Sequence, residues 1–305
     1  MKLLAKYQNG NYTVRLFDDG TKIRMNNLDN LTPAFAESMD VTITERCNGH
    51  CNWCYLGCTE QGKHADLTNP IFDTIYSGTE LAINANDFSH PGLEDFLIKM
   101  KNKNVIVNIT VNQKHLFDNL ETLIKWQNSN IISGIGISLM NSNDSRLISS
   151  ISKLQNVVLH VIDGCFTKND LDNLANNNIK LLILGYKTKG RGIEYYNQNS
   201  AEIQSNIKYL ANHLHEYKDK FNTFAFDTLA TEHLNIRSKV DPNTWKHNFM
   251  GDEGAYTFFY DAVNNRFAIS SMDKNSYEAL DSFDAMFKTV RQLAGHSDIR
   301  GDDQH

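Results

Sequence analysis

Three cysteines near the start of the chain have the side chains best suited to metal chemistry. Cys47, Cys51 and Cys54 are spaced C-x3-C-x2-C, and they follow residues 41–44, an alternating run that predicts a strand. Three thiolates in one loop can hold an iron–sulfur cluster. A [4Fe–4S] cluster has four irons, so one iron would remain open to a ligand from outside the protein. The spacing therefore predicts a cluster with one open coordination position.

Two other metal sites are compatible with the same loop. A structural zinc site could use the three cysteines together with Cys58 or His50, although zinc knuckles are usually two pairs far apart in sequence. A ferredoxin-like cluster could use Cys58 as its fourth ligand. Either reading would make the protein a non-enzymatic electron-transfer, sensor or structural metal protein.

The cysteine spacing, the aromatic residue Trp53 and the preceding strand resemble the radical S-adenosylmethionine (radical SAM) superfamily. The resemblance implies that Cys47, Cys51 and Cys54 bind a [4Fe–4S] cluster whose open iron is chelated by SAM. It implies an enzyme in which an electron from the cluster cleaves SAM to methionine and a 5′-deoxyadenosyl radical. That radical takes a hydrogen atom from a substrate. The implied partner is an external one-electron reductant of the flavodoxin or ferredoxin type.

Three further stretches are similar to one group within that superfamily. Residues 62–66, 111–115 and 183–187 resemble a family of radical SAM proteins of unassigned function from Firmicutes and their phages. The resemblance therefore implies a reaction type and leaves the substrate open between a peptide or protein and a nucleotide. It assigns no catalytic residue beyond the cluster and SAM.

Residues near the carboxyl ends of the predicted strands are expected to contact SAM, because ligands bind at that end of such sheets. The superfamily carries a Gly-Gly-Glu-Pro-like motif after the second strand, where this chain has Asn84 and Asn86. Asn86, in the glutamate's place, can accept a hydrogen bond from an ammonium group but carries no charge. By this resemblance the residues expected to contact SAM are Trp53, Tyr55, Asn84, Asn86, Asn112 and Ser138.

A basic turn follows the sixth strand and is a candidate for binding an anionic substrate or the carboxylate of SAM. Its members are Tyr186, Lys187, Lys189 and Arg191. A solvated basic turn is the alternative. The run Gly134-Ile135-Gly136 lacks the third glycine of a dinucleotide fingerprint, so we interpret it as a tightly packed strand.

The elements around these residues predict an α/β protein. Apolar strands alternate with helical segments over residues 38–230, which favours a parallel sheet in a partial (β/α)6 TIM-like barrel. The turn signals Asn9-Gly10 and Asp18-Asp19-Gly20 predict a β-meander over residues 1–37. Residues 231–305 are expected to form a small appendix with a β-hairpin between residues 256 and 270.

Composition limits the classes of partner. The net charge of −6 argues against general nucleic-acid binding, and no apolar run reaches membrane-spanning length. Four of the five cysteines lie between Cys47 and Cys58, which favours a metal site in a reducing compartment over a disulfide framework. With no signal peptide evident, we expect a cytoplasmic protein, and the resemblance is compatible with a phage-encoded one.

Overall fold

The computed structural model describes residues 2–28 and 30–296, and these residues form two β-sheets. The smaller sheet is antiparallel and consists of β1 (Leu3–Asn9), β2 (Tyr12–Phe17) and β3 (Lys22–Met25). Gly10 and Gly20, in the two connecting turns, have positive φ angles of 58° and 91°. Glycine adopts such angles without steric cost, which is why these turns could be located from sequence. The predicted meander is confirmed.

The larger sheet has ten described strands and is mostly parallel. The strands are β4 (Ser38–Thr42), β5 (Glu80–Asn86), β6 (Ile106–Asn112), β7 (Gly134–Ser138), β8 (Val157–Ile162), β9 (Lys180–Leu184), β10 (Thr223–Phe226), β11 (Thr257–Asp261), β12 (Arg266–Ala268) and β13 (Tyr277–Glu278). From β4 to β10 each strand pairs in parallel with the next strand along the chain. The remaining strands lie on the other side of β4, in the order β11, β12, β13.

Helices connect the parallel strands, as crossover connections require. Several begin at a residue whose side chain caps the first turn; Thr167 and Asp170, for example, form a capping box at the start of the helix Lys168–Leu174. The helices are α1 (Leu93–Asn102), α2 (Gln113–Asp118), α3 (Leu120–Asn128), α4 (Arg146–Ile151), α5 (Lys168–Leu174), α6 (Arg191–Tyr217), α7 (Thr228–His233), α8 (Pro242–Asn248) and α9 (Phe283–Leu293). Two short 3-10 helices cover Pro70–Thr74 and Ile236–Lys239. No helix in the described part of the chain is both long and apolar enough to cross a membrane.

The two faces of the large sheet differ because successive side chains of a strand point to opposite sides. Leu81, Ile83 and Ile109 belong to the continuous hydrophobic core and are almost fully buried. Asn84 and Thr110, which alternate with them, line a cavity at the sheet. The core therefore lies between the sheet and the helices, and polar side chains of the same strands reach the cavity.

The expected C-terminal hairpin is present, and it joins the large sheet. β11 and β12 do form an antiparallel pair, in which Tyr260 lies opposite Phe267. However, β11 also pairs in parallel with β4, with Tyr260 opposite Val41, so the hairpin extends the large sheet. Phe283 of α9 covers it, with its ring edge-to-face against Tyr260 at a centroid distance of 5.2 Å. The free edge of β4 that accepts β11 has no local signal in the sequence. The division of the chain at residues 37 and 230 stays a prediction.

Candidate functional site

A cavity of about 610 Å³ lies against the large sheet. Its wall is formed by residues of β4 to β9, by the loop after β4, by the turn after β9 and by part of the small sheet. The side chains of Cys47, Cys51, Cys54 and Cys58 all line it. A concave site of this size, with several convergent polar groups, is typical of small-molecule and cofactor binding.

The cysteines lie in a loop, residues 45–62, which we call the cysteine loop. Its two ends are held together by backbone hydrogen bonds, from the Cys47 N–H to the Thr59 carbonyl (2.9 Å) and from the Thr59 N–H to the Glu45 carbonyl (3.1 Å). Gly62 packs against Glu45 so closely that a Cβ atom at residue 62 would lie 2.1 Å from the Glu45 carbonyl oxygen. The base of the loop is therefore closed, and the cysteines project from a defined backbone.

The thiols of Cys47 and Cys51 each accept a hydrogen bond within the site. Cys47 Sγ accepts one from the backbone N–H of Gly49 (3.3 Å), and Cys51 Sγ accepts one from Asn112 Nδ2 (3.2 Å). Burial raises the pKa of Cys47 to about 11 and also raises the pKa of Cys51. Both groups are therefore protonated at neutral pH without a metal, and metal binding would release their protons.

Cys54 and Cys58 interact, and the interaction shifts their pKa values in opposite directions. The hydrogen bond from Cys58 lowers the pKa of Cys54 to about 6, and the same interaction raises the pKa of Cys58. Cys58 is buried and also accepts a hydrogen bond from Asn86 Nδ2 (3.6 Å). His50, by contrast, lies largely in solvent, with its Nε2 3.0 Å from Glu60. Within residues 2–28 and 30–296, no group of three or more His, Cys, Asp or Glu side chains is arranged around a single metal-ion position.

Asn84 and Asn86, which were expected to contact SAM, also support the chain that leads into the cysteine loop. Asn84 Oδ1 accepts the Ile43 N–H (2.8 Å), and its Nδ2 donates to the Thr44 carbonyl (2.6 Å). Asn86 Nδ2 donates to the Arg46 carbonyl (2.8 Å). These bonds replace strand pairing beyond the end of β4 at Thr42. Both side chains nevertheless line the cavity.

The first turn of α2 supports the cysteine loop from a second direction. Asn112 Oδ1 caps the helix by accepting the Lys114 N–H (2.8 Å), which leaves Nδ2 to bind Cys51. His115 Nε2 lies 2.7 Å from Asn48 Oδ1 inside the loop. Sequence reasoning selected Asn112 as a SAM contact, but it did not detect that this turn binds the cysteine loop.

Ser138 lies in one row across the sheet with Asn112 on β6 and His160 on β8. His160 faces the cavity, and its ring occupies the space beside Gly136, where a Cβ would lie 2.3 Å from the ring. This contact confirms that the Gly134-Ile135-Gly136 run is a tightly packed strand. Burial lowers the pKa of His160 to about 4, so the ring is neutral at pH 7. Sequence reasoning missed His160; the available signal was one polar residue within an apolar strand.

Trp53 and Tyr55 both line the cavity. The Trp53 ring packs edge-to-face against Tyr195, with a centroid distance of 5.6 Å. The Tyr55 ring lies beneath the Lys187 ammonium, whose Nζ is 4.3 Å from the ring centroid. The structure therefore brings the two aromatic residues of the cysteine loop together with the turn after β9.

The four residues of the basic turn all have partners within the protein. Tyr186 donates its hydroxyl to the Gly192 carbonyl (2.7 Å). Lys187 donates to Ser271 Oγ (2.7 Å), and Lys189 to the Ser271 carbonyl (2.7 Å). Arg191 donates to the carbonyls of two cysteines, Cys51 (3.0 Å) and Cys58 (2.6 Å). The turn thus lies at the cavity, but its polar groups connect the cysteine loop to the segment after β12.

The chain matches no protein-family model, and no curated protein matches it. The chemistry of the site must therefore be inferred from its own geometry. Four cysteines of the loop after β4 line one cavity together with residues of the parallel strands. Cysteine thiolates are ligands of zinc and of iron–sulfur clusters, so these four residues are the ones that could hold such a centre.

Proposed function

We propose that this protein is a radical SAM enzyme in which Cys47, Cys51 and Cys54 bind a [4Fe–4S] cluster. The observation that carries this proposal is that three thiols with C-x3-C-x2-C spacing face one cavity at the carboxyl ends of a parallel sheet. When bound, the cluster and SAM supply a 5′-deoxyadenosyl radical that takes a hydrogen atom from the substrate.

Contacts around the cysteines support this proposal. The backbone N–H and side chain of Arg191 bind the carbonyls of Cys54, Cys51 and Cys58, so these backbone dipoles are already satisfied. Asn112 supplies an N–H···S hydrogen bond to Cys51, a contact that tunes cluster potentials in general. Cys58 is the additional thiol, and we propose that it supports Cys54 by hydrogen bonding.

We propose that SAM lies against the carboxyl ends of β5, β6 and β7. Asn86 Oδ1 accepts one hydrogen bond, from Asn84 Nδ2 (3.3 Å), so it retains the capacity to accept another from the SAM ammonium. Ser138 offers its hydroxyl in the same row as Asn112. Trp53 and Tyr55 provide aromatic surface at the cavity, and their rings help to exclude water from the site.

We also propose that the six β/α units from β4 to β9 curve into a partial TIM-like barrel. This is supported by contacts between the two ends of the series. Lys187 and Arg191, which follow β9, contact Tyr55 and the cysteines in the loop after β4. We further propose a cytoplasmic protein that receives its electron from an external reductant of the flavodoxin or ferredoxin type.

The proposal is tested by reconstituting the full-length protein with iron and sulfide under anaerobic conditions. We expect a [4Fe–4S] electron paramagnetic resonance (EPR) signal after dithionite reduction, a shift of that signal on adding SAM, and formation of 5′-deoxyadenosine. Cys54→Ala should abolish all three. Cys165→Ala, which removes a cysteine outside the loop, should retain them. A protein that takes up zinc instead, or a cluster that needs Cys58 and does not respond to SAM, would refute the proposal.

A further inference from the structure

The cationic side chains in the wall of the cavity are already bound to the protein. In the described part of the chain, the cavity is lined by one lysine, Lys187, and one arginine, Arg191. Lys187 binds Ser271 and lies over the Tyr55 ring, and Arg191 binds backbone carbonyls of the cysteine loop. A phosphate entering this cavity would lose its hydration without gaining a free cationic partner, which is costly.

Two polar side chains of β4 face the same cavity without a partner. Asp40 has no hydrogen bond or ion pair with any residue in the described part of the chain. Thr42 is only 3% exposed, and its hydroxyl also has no hydrogen-bond partner among those residues. The two residues are separated by one position on a strand, so their side chains point to the same side. Buried polar groups are normally hydrogen-bonded, so the Thr42 hydroxyl is left for a bound molecule. The Asp40 carboxylate beside it is exposed and is equally available to a molecule in the cavity.

Asp40 lies near charged groups of both signs. Desolvation raises the pKa of Asp40, Lys187 lowers it, and the nearby carboxylate of Asp227 raises it by a smaller amount. Glu253 lies close enough for Asp40 to raise its pKa in the same way, after the larger effect of burial. Asp227 Oδ1 is occupied by the N–H groups of Gly185 (2.9 Å) and Ala230 (2.7 Å). The carboxyl groups of Asp40, Asp227 and Glu253 therefore lie near one ammonium group. That ammonium belongs to Lys187 and donates its hydrogen bond to Ser271.

We infer that the substrate of this cavity carries an amine or guanidinium group, which the carboxylate of Asp40 and the hydroxyl of Thr42 bind. That the bound molecule is a substrate rests on the proposed function. The preference for a cation follows from the cavity itself. The group belongs to a small basic molecule or to a basic side chain of a peptide, and a nucleotide phosphate is disfavoured. Asp40 acts as an acceptor of charge-assisted hydrogen bonds, which discriminate by charge as well as by shape.

The charge preference can be measured with four-carbon probes on the full-length protein before metal is added. The probes are butylguanidinium, 1-butanol and butyl phosphate, and binding is followed by ligand-observed nuclear magnetic resonance. We expect butylguanidinium to bind at least about tenfold more tightly than 1-butanol. Butyl phosphate should bind no better than 1-butanol. The affinities of a capped tripeptide with a central lysine and of free 1,4-diaminobutane are then compared. Tighter binding of the tripeptide indicates an amine carried by a peptide, and tighter binding of 1,4-diaminobutane indicates a small basic molecule.

Variants test which residues are responsible. Asp40→Asn should weaken butylguanidinium binding by about tenfold or more, and Thr42→Val by a smaller factor. Asp95→Asn, at an exposed position of α1, is the matched control and should leave binding unchanged. The inference is overturned if butyl phosphate binds more tightly than butylguanidinium, a comparison that needs no variant. It is also overturned if Asp40→Asn binds butylguanidinium as the wild type does. Because these measurements need neither cluster nor SAM, their outcome is independent of the EPR test.

Discussion

The guanidinium of Arg191 lies 2.6 Å from the carbonyl oxygen of Cys58, and this contact is one of three that Arg191 makes with the cysteine loop. Its Nε donates to the Cys51 carbonyl (3.0 Å), and its backbone N–H donates to the Cys54 carbonyl (3.0 Å). One residue at the start of α6 therefore binds the carbonyls of three loop cysteines. The consequence is a loop whose backbone is held in place before any metal binds.

We expect Arg191→Lys to loosen the cysteine loop although it keeps the charge. A lysine ammonium cannot reproduce the planar fork that reaches two carbonyls at once. Each lost charge-assisted hydrogen bond contributes about 1.5–3 kcal/mol, so amide exchange within the loop should accelerate by about tenfold or more. The amides of Cys54 and Gly57, which donate to Cys51 and Cys54, report on this by hydrogen–deuterium exchange. Arg146→Lys, at an exposed arginine on α4, is the control; equal exchange in both variants would contradict the role of Arg191.

Much of the fold was predictable because its signals are local. Strands such as β8 (Val157–Ile162) and β9 (Lys180–Leu184) are short apolar runs bounded by turns, and the meander has glycine at both turns. The pairing of β11 with β4 was not predictable, because it joins distant parts of the chain through backbone atoms that every residue has. The α9 helix was also missed, although Phe283, Met286, Phe287 and Val290 show a helical apolar spacing.

The site shows the same division between local and long-range information. The spacing of Cys47, Cys51 and Cys54 is local, and the structure places all three at one cavity. The basic turn was a candidate for substrate binding because residue types are visible in a sequence but side-chain directions are not. Arg191 points to main-chain carbonyls, and a carbonyl acceptor has no signature in the sequence. Asp40 was not selected at all, because an isolated acidic residue in a strand does not reveal which face it occupies.

Gly190→Ala should destabilise the contact between the turn after β9 and the cysteine loop. Gly190 has a positive φ of 53°, and an added Cβ would lie within 2.6 to 2.8 Å of backbone atoms of Cys54, Tyr55 and Gly57. We expect a loss of about 3 kcal/mol or more in the free energy of unfolding, measured by urea denaturation. Gly20→Ala is the matched control, since its φ is 91° but no atom lies within 4 Å of the added Cβ. It should lose only about 1 kcal/mol; equal losses would show that the close contacts do not matter.

Asn112→Asp should lower the reduction potential of the reconstituted cluster. The aspartate keeps the helix cap on Lys114, but it removes the N–H donor to Cys51 and adds a negative charge beside the thiolate. Both changes disfavour the reduced cluster, so we expect a shift on the order of tens of millivolts in a potentiometric titration followed by EPR. The control is Asn69→Asp, which makes the same change at the cap of the 3-10 helix Pro70–Thr74, where Asn69 accepts the Ile71 N–H. An unchanged or higher potential in Asn112→Asp would contradict the prediction.

The ion pair between His233 and Asp163 should make stability depend on pH. His233 Nδ1 lies 2.8 Å from the fully buried carboxylate of Asp163. The hydrogen bond to Asp163 raises the pKa of His233 above its ordinary value of 6.5. Because the folded protein binds this proton more tightly than the unfolded chain, the pair contributes fully below pH 6.5. That contribution is lost as the pH rises through the raised pKa.

The contribution is modest, because the His233 side chain is 29% exposed and solvent screens the pair; we expect about 1 kcal/mol or less. Urea denaturation of the wild type and of His233→Asn at several pH values isolates it from the other titrating groups. The difference in unfolding free energy between the two proteins should be largest in mildly acidic buffer and should shrink toward alkaline pH. A difference that grows as the pH rises would mean that the neutral ring, rather than the ion pair, stabilises this contact.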